Sequence, residues 1–166
     1  MPSIFTRILN KEIPGYIVDQ DDDHFAILDI NPINPGHILV IPNRETDDLF
    51  DLEPVAYSKI FVYARRVATA LKKAVGAKRI GMAVEGFSVA HCHVHLVPVN
   101  NVNELDPKRA KRATVEELQA MWGKIQCLGF DRHEIERTYV TPETAKRIGK
   151  LHITSCRRCR KELADK

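Results

Sequence analysis

From Ala90 to Val99 histidine alternates with apolar or small residues, Ala90-His91-Cys92-His93-Val94-His95-Leu96-Val97-Pro98-Val99, and this stretch constrains the fold more than any other. Period-two alternation with β-branched fillers predicts a strand, and alternate side chains of a strand share a face. His91, His93 and His95 are therefore expected in a row on one side, with Cys92, Val94 and Leu96 turned to a core. One face is for chemistry and the other for packing.

A histidine row serves either a metal or a catalyst. At roughly 3.3 Å per residue, the outer pair would lie about 13 Å apart, too far for one ion with bonds of about 2 Å, although neighbouring pairs could chelate. Imidazole near neutral pH offers both a nucleophilic nitrogen and, when protonated, a donor to anionic oxygens. Such a row suits phosphorus chemistry, with a central His attacking phosphorus and its neighbours stabilising charge on the equatorial oxygens.

The run His91-Cys92-His93-Val94-His95-Leu96-Val97 resembles the His-φ-His-φ-His-φ-φ signature of the histidine triad nucleotide hydrolases, with Cys92 an unusual filler. A second segment, Leu28-Asp29-Ile30-Asn31-Pro32-Ile33-Asn34-Pro35-Gly36-His37-Ile38-Leu39-Val40-Ile41-Pro42, is similar to that family's other hallmark, in matching order and spacing. The resemblance spans about residues 3–105. It implies His93 as nucleophile, His91 and His95 at the phosphate oxygens, His37 as a fourth active-site histidine, Asp29 on the ribose hydroxyls and Ser88 at the leaving group. Ile30 and Phe25 become candidates for the base pocket of a purine nucleotide, with core burial as their competing role. It also implies a homodimer and a reaction that requires no metal. Family members carry structural zinc ligands at the positions of Ser3, Thr6 and Glu45; hydroxyls and a lone carboxylate make a poor zinc site.

A length of 166 residues with 44% hydrophobic composition makes one domain the default. With no apolar run of about 18 residues and no signal-like amino terminus, the chain reads as soluble and cytoplasmic, without membrane contact. Cys92, Cys127, Cys156 and Cys159 are too few and too uneven for a disulfide framework, which fits a reducing compartment. Residues 1–100 carry 10 basic and 12 acidic side chains and residues 101–166 carry 15 and 10. An excess of five is closer to a solvated face than to a nucleic-acid surface.

Periodicity predicts a short helix from Ser3 to Leu9, strands at Tyr16 to Asp19, His24 to Ile30 and Gly36 to Ile41, and a long amphipathic helix from Glu53 to Val75 ended by Gly76. Arg79 to Glu85 reads as a strand leading to the triad. Thr114-Val115-Glu116-Glu117 has the form of a capping box before a helix whose Leu118, Met121, Trp122 and Ile125 serve packing. In the tail, His152, Cys156 and Cys159 have zinc-ligand spacing, with Cys127 or His133 to complete a shell; the competing reading is two thiols in a basic helix from Cys156 to Leu163.

Together these readings give an α+β histidine triad fold: about five antiparallel strands, a long helix across them, a domain over 1–105 and a basic extension over 106–166. The expected activity is hydrolysis at the α-phosphate of a nucleoside phosphoramidate or dinucleoside polyphosphate through a nucleotidyl-histidine. Related nucleotidyl transferases carry Gln at the position of His95, so His there points to hydrolysis. Two alternatives stay open: a hydrolase removing adenylate from nucleic-acid ends, which the basic tail would serve, and a nucleotide-binding or protein-interaction module with vestigial catalysis.

Overall fold

The computed structural model describes residues 1–130 together with two later strands, Ile135–Tyr139 and His152–Cys156. The chain begins with helix α1 (Ile4–Leu9), whose N-cap Ser3 accepts a hydrogen bond from the Thr6 amide. Strands β1 (Ile17–Gln20), β2 (His24–Leu28) and β3 (Ile38–Pro42) follow as an antiparallel meander. A bulge between Ile17 and Asp19 breaks the alternation of β1, so that Val18 and Asp19 are both buried. Arg66 reaches the Asp19 carboxylate from the next element.

That element is helix α2 (Pro54–Val75). Pro54 opens it, where a missing N–H costs nothing and the fixed φ is already helical. Gly76 closes it in the left-handed region at φ 71°, its amide bonded to the Lys72 carbonyl. Strand β4 (Arg79–Val84) then pairs antiparallel with β5 (Val94–Val99), and β5 pairs with β3. The five-stranded sheet has the order β1-β2-β3-β5-β4. This is the expected α+β architecture.

Strand alternation sorts the core into two layers. Ala26, Leu28, Ile38, Val40, Val94 and Leu96 face α2 and meet Ile60, Ala64, Val67 and Leu71 from its buried stripe. On the opposite face Phe25, Ile27, Leu39 and Ile41 are covered by Phe5 and Ile8 of α1. Each large side chain buried here contributes about 1.5–3 kcal/mol of transfer free energy. The second layer, under the shorter helix, is the one that carries the histidines.

Helix α3 (Val115–Lys124) begins with the expected capping box, Thr114 and Glu117 bonding each other's backbone amides. It continues into a π-helical turn, Ile125–Gly129. Leu118 and Ile125 join the core beneath α2, and Trp122 donates from Nε1 to the Ile17 carbonyl at 2.8 Å. The region beyond residue 105 thus shares the core of the preceding residues as far as 130. Strands β6 (Ile135–Tyr139) and β7 (His152–Cys156) form an antiparallel hairpin with Ile135 opposite Cys156. The helix expected from Cys156 to Leu163 has its first residue at the end of β7, and its remainder lies outside the described residues. Among the described residues, no helix is long and apolar enough to cross a membrane.

Candidate active site

The triad does not lie wholly within a strand. β5 begins only at Val94, so His91 and His93 belong to the irregular connection after β4, and the expected three-membered row becomes a cluster of different composition. The reason is local: Gly86 at φ 108° and the bends around Ser88 interrupt the ladder before it reaches the first two histidines.

His95 projects from β5 on the face of Leu39, its partner in register. His37, one residue before β3, comes alongside, with His37 Nε2 and His95 Nδ1 2.9 Å apart. The ring of His93 lies 4.9 Å, centroid to centroid, from that of His95, and Phe5 of α1 meets His93 edge-on at 5.0 Å. Asp29, just after β2, places Oδ2 3.4 Å from His37 Nδ1 and accepts the Asn31 amide at Oδ1, 2.8 Å.

Donor and acceptor rules locate the ring protons. His37 is buried, and desolvation pushes its pKa down to about 4 against the opposing pull of the Asp29 carboxylate. The ring is therefore neutral near pH 7. Of the two groups at its Nδ1, the Ile33 amide at 3.2 Å makes the hydrogen bond while the Asp29 carboxylate stands off at 3.4 Å, an arrangement that puts the proton on Nε2, aimed at His95 Nδ1. His95, whose pKa burial and then His93 depress, accepts there and carries its own proton on Nε2. In His93, Nδ1 lies 2.8 Å from the His91 carbonyl, an acceptor only, so Nδ1 holds the proton and Nε2 keeps its lone pair. One lone pair and one N–H donor thus stand side by side on adjacent rings.

The donor atoms of Asp29, His37 and His95 lie within 4.8 Å of one another, the one such group among the described residues. The two imidazole nitrogens are at hydrogen-bond distance. Tetrahedral zinc with bonds of about 2.05 Å would hold them about 3.3 Å apart, so an ion would have to part this pair.

His91 departs most from expectation. It is fully buried, and both ring nitrogens are already bonded: Nε2 to the Pro42 carbonyl at 2.8 Å and Nδ1 to the Ser3 hydroxyl at 2.8 Å. No ring nitrogen is left for a phosphate oxygen. Phe25 likewise has no exposed surface and packs with Phe5 and Ile41, so of the two base-pocket candidates only Ile30, 43% exposed, can meet a ligand. Ser88 is exposed on the connection between β4 and His91. Of the tail's zinc candidates, His152 and Cys156 fall in β7, Cys127 is buried in the π-helical turn, and Cys159 and His133 lie outside the described residues. Residues that sequence reasoning missed as parts of the site are Phe5 and, as supports of His91, Ser3, Thr6 and Glu45, which it grouped only as positions of the family's zinc ligands. Their signal was faint, since a short amphipathic helix looks the same wherever it docks.

Beside Asp29 and His37 a cavity of about 580 Å³ opens between the 29–37 loop and α3. Leu28, Ile33, Leu118 and Met121 supply its apolar lining, and Arg109, Lys111, Arg112 and Lys124 its positive charge.

A two-layer α+β fold with histidines clustered on one face of a five-stranded sheet is the architecture of a known class. The HIT domain model matches residues 10–102, more than half of the chain, and the protein belongs to the HIT family. Among its relatives, the adenylylsulfatase of Arabidopsis thaliana is 40% identical over 114 residues, 61% of this chain and 74% of that protein. The asymmetrical bis(5'-nucleosyl)-tetraphosphatase of Schizosaccharomyces pombe is 35% identical over 78 residues, 44% of this chain and 43% of that protein. The crystal structure of a HIT-like protein from Bartonella henselae, described as involved in cell-cycle regulation, superposes with a TM-score of 0.68 at 31% identity, covering 76% of this chain and 95% of that one.

Proposed function

We propose that the protein is a nucleotide hydrolase acting at the α-phosphate, through a covalent nucleotidyl-histidine on His93. The observation that carries this reading is the ordered proton chain: Ile33 N–H to His37, His37 to His95, and separately His93 Nδ1–H to the His91 carbonyl. It holds a nucleophilic lone pair on His93 and a donor on His95 at once, with no proton needing to move first. Similarity to an adenylylsulfatase and a dinucleoside tetraphosphatase supports a nucleoside 5'-phosphoryl substrate.

In this mechanism His93 Nε2 forms a bond to the α-phosphorus as the bond to the leaving group breaks, and the leaving group takes a proton from solvent or from the Ser88 hydroxyl. His95 Nε2–H donates to a phosphate oxygen as its charge grows. Water then forms the new O–P bond, the N–P bond breaks and the nucleoside monophosphate departs. Asp29 accepts from the ribose hydroxyls, and Ile30 lies against the base. His91 supports His93 through its carbonyl and does not touch phosphate. Exposed Met82 and Val84 on edge strand β4 support a homodimer formed across this edge.

Metal-free incubation with diadenosine tetraphosphate and adenosine phosphoramidate, followed by mass spectrometry of rapidly mixed samples, tests the reading. AMP release with a transient nucleotidyl mass, both lost in His93→Ala, is the expected result. Binding of nucleotide with no turnover of either compound, nor of adenylated oligonucleotides, would reduce the protein to a binding module.

A further inference from the structure

Between Val84 and Val94 no ladder holds the backbone, yet the carbonyl that orients the nucleophile belongs to His91, in the middle of this gap. What holds it instead is a set of polar contacts reaching across the molecule. The His91 amide donates to the Val89 carbonyl and the Cys92 amide to the Thr46 carbonyl. The His91 ring is clamped between Pro42, at the end of β3, and Ser3, at the start of α1, which is 88 residues away in sequence.

Every proton in this set has one destination. The Pro42 carbonyl accepts only, so His91 carries its proton on Nε2 and presents the Nδ1 lone pair to Ser3. The Ser3 hydroxyl must therefore donate to His91, and its oxygen accepts the Thr6 amide at 3.1 Å. Glu45 completes the order: its Oε1 accepts the Ser3 amide at 2.6 Å and the Thr6 hydroxyl in a short contact. With the Thr6 hydroxyl committed to the carboxylate, its proton is not available to the Ser3 oxygen 3.3 Å away. Alpha1 has only six residues, too short to be ordered by its own hydrogen bonds, so this clasp also fixes where Phe5 lies against His93.

We propose that Ser3, kept in donor orientation by Thr6 and Glu45, is a positioning residue for the His93 nucleophile: by clamping the His91 ring it fixes the His91 carbonyl, which keeps the His93 proton on Nδ1 and the lone pair on Nε2. The catalytic part of this inference rests on the nucleotidyl-histidine reading; the tautomer part does not. A clasp of two hydroxyls and one carboxylate does the orienting.

The test uses the full chain labelled with nitrogen-15, and reads the histidine ring tautomers by long-range proton–nitrogen correlation alongside steady-state kinetics with diadenosine tetraphosphate. Wild type is expected to show His91 protonated on Nε2 and His93 on Nδ1. Ser3→Ala is expected to mix the His93 tautomers and to lower kcat by about tenfold with KM within about twofold, because a misdirected nucleophile affects the chemical step more than binding. Ser3→Thr, which keeps the hydroxyl, is expected to restore both. Glu45→Ala removes an exposed side chain and leaves the core intact, so it serves if Ser3→Ala folds poorly; about a threefold loss of kcat with partial tautomer mixing is expected there. A His93 tautomer unchanged in both Ser3→Ala and Glu45→Ala would overturn the proposal even if the enzyme turns over. Absence of turnover in wild type with the tautomer shift intact would instead overturn the proposed reaction and leave the clasp standing.

Discussion

His37 links the site to stability, and its titration can be worked through. Burial holds its folded-state pKa at about 4, against 6.5 for an unperturbed imidazole. Between these values the unfolded chain binds a proton that the folded chain refuses, so stability rises with pH across the window and is complete above about 6.5. The gap between the two values limits this residue's contribution to about 3 kcal/mol, most of which is lost as pH falls from 6.5 to 4. His91 and His95, also depressed by burial, add to the slope in the same direction. The assay is urea unfolding at intervals from pH 7 to pH 4 for wild type and for His37→Asn, with the His37 ring followed by NMR. The variant is expected to be less stable at pH 7, because a buried ring and its bond to His95 are lost, yet to show a pH slope shallower by about 3 kcal/mol over the window. A His37 ring that titrates above pH 6, or equal slopes in the two proteins, would refute both the buried neutral ring and the proton chain built on it.

Three further outcomes are expected. Gly129→Ala would place a Cβ 2.7 Å from the Ala70 carbonyl oxygen of α2, and should cost about 1–3 kcal/mol in chemical denaturation. Thr114→Ala removes the N-cap of α3, with an expected loss of about 1 kcal/mol in chemical denaturation. Asp29→Asn should raise KM for a ribonucleotide by about tenfold while a 2',3'-dideoxy analogue is affected far less; equal effects on both would argue against ribose recognition.

Much of the frame was legible in the chain because it is written in local patterns. The stripe of α2 recurs at three and four residues, Pro54 and Gly76 bound it, and Thr114 with Glu117 marks the start of α3. The two histidine motifs likewise named His37, His93 and His95 before any contact between them was known. Their mutual bonding, 58 residues apart for His37 and His95, follows from strand order.

Local alternation misled at one point. His91 has the sequence setting of a row member, and only the tertiary structure turns it inward, because β5 starts at Val94 and Pro42 and Ser3 take both of its nitrogens. Ser3, Thr6 and Glu45 are linked in the sequence only as positions of the family's structural zinc ligands, and it is the docking of α1 on the second face of the sheet that joins them to the His91 ring through Ser3. Periodicity reports which face of an element is apolar, and so the sequence alone determined the elements and the chemical inventory. Which distant donor meets which acceptor depends on how those faces stack, and that decided the direction of every proton in the site.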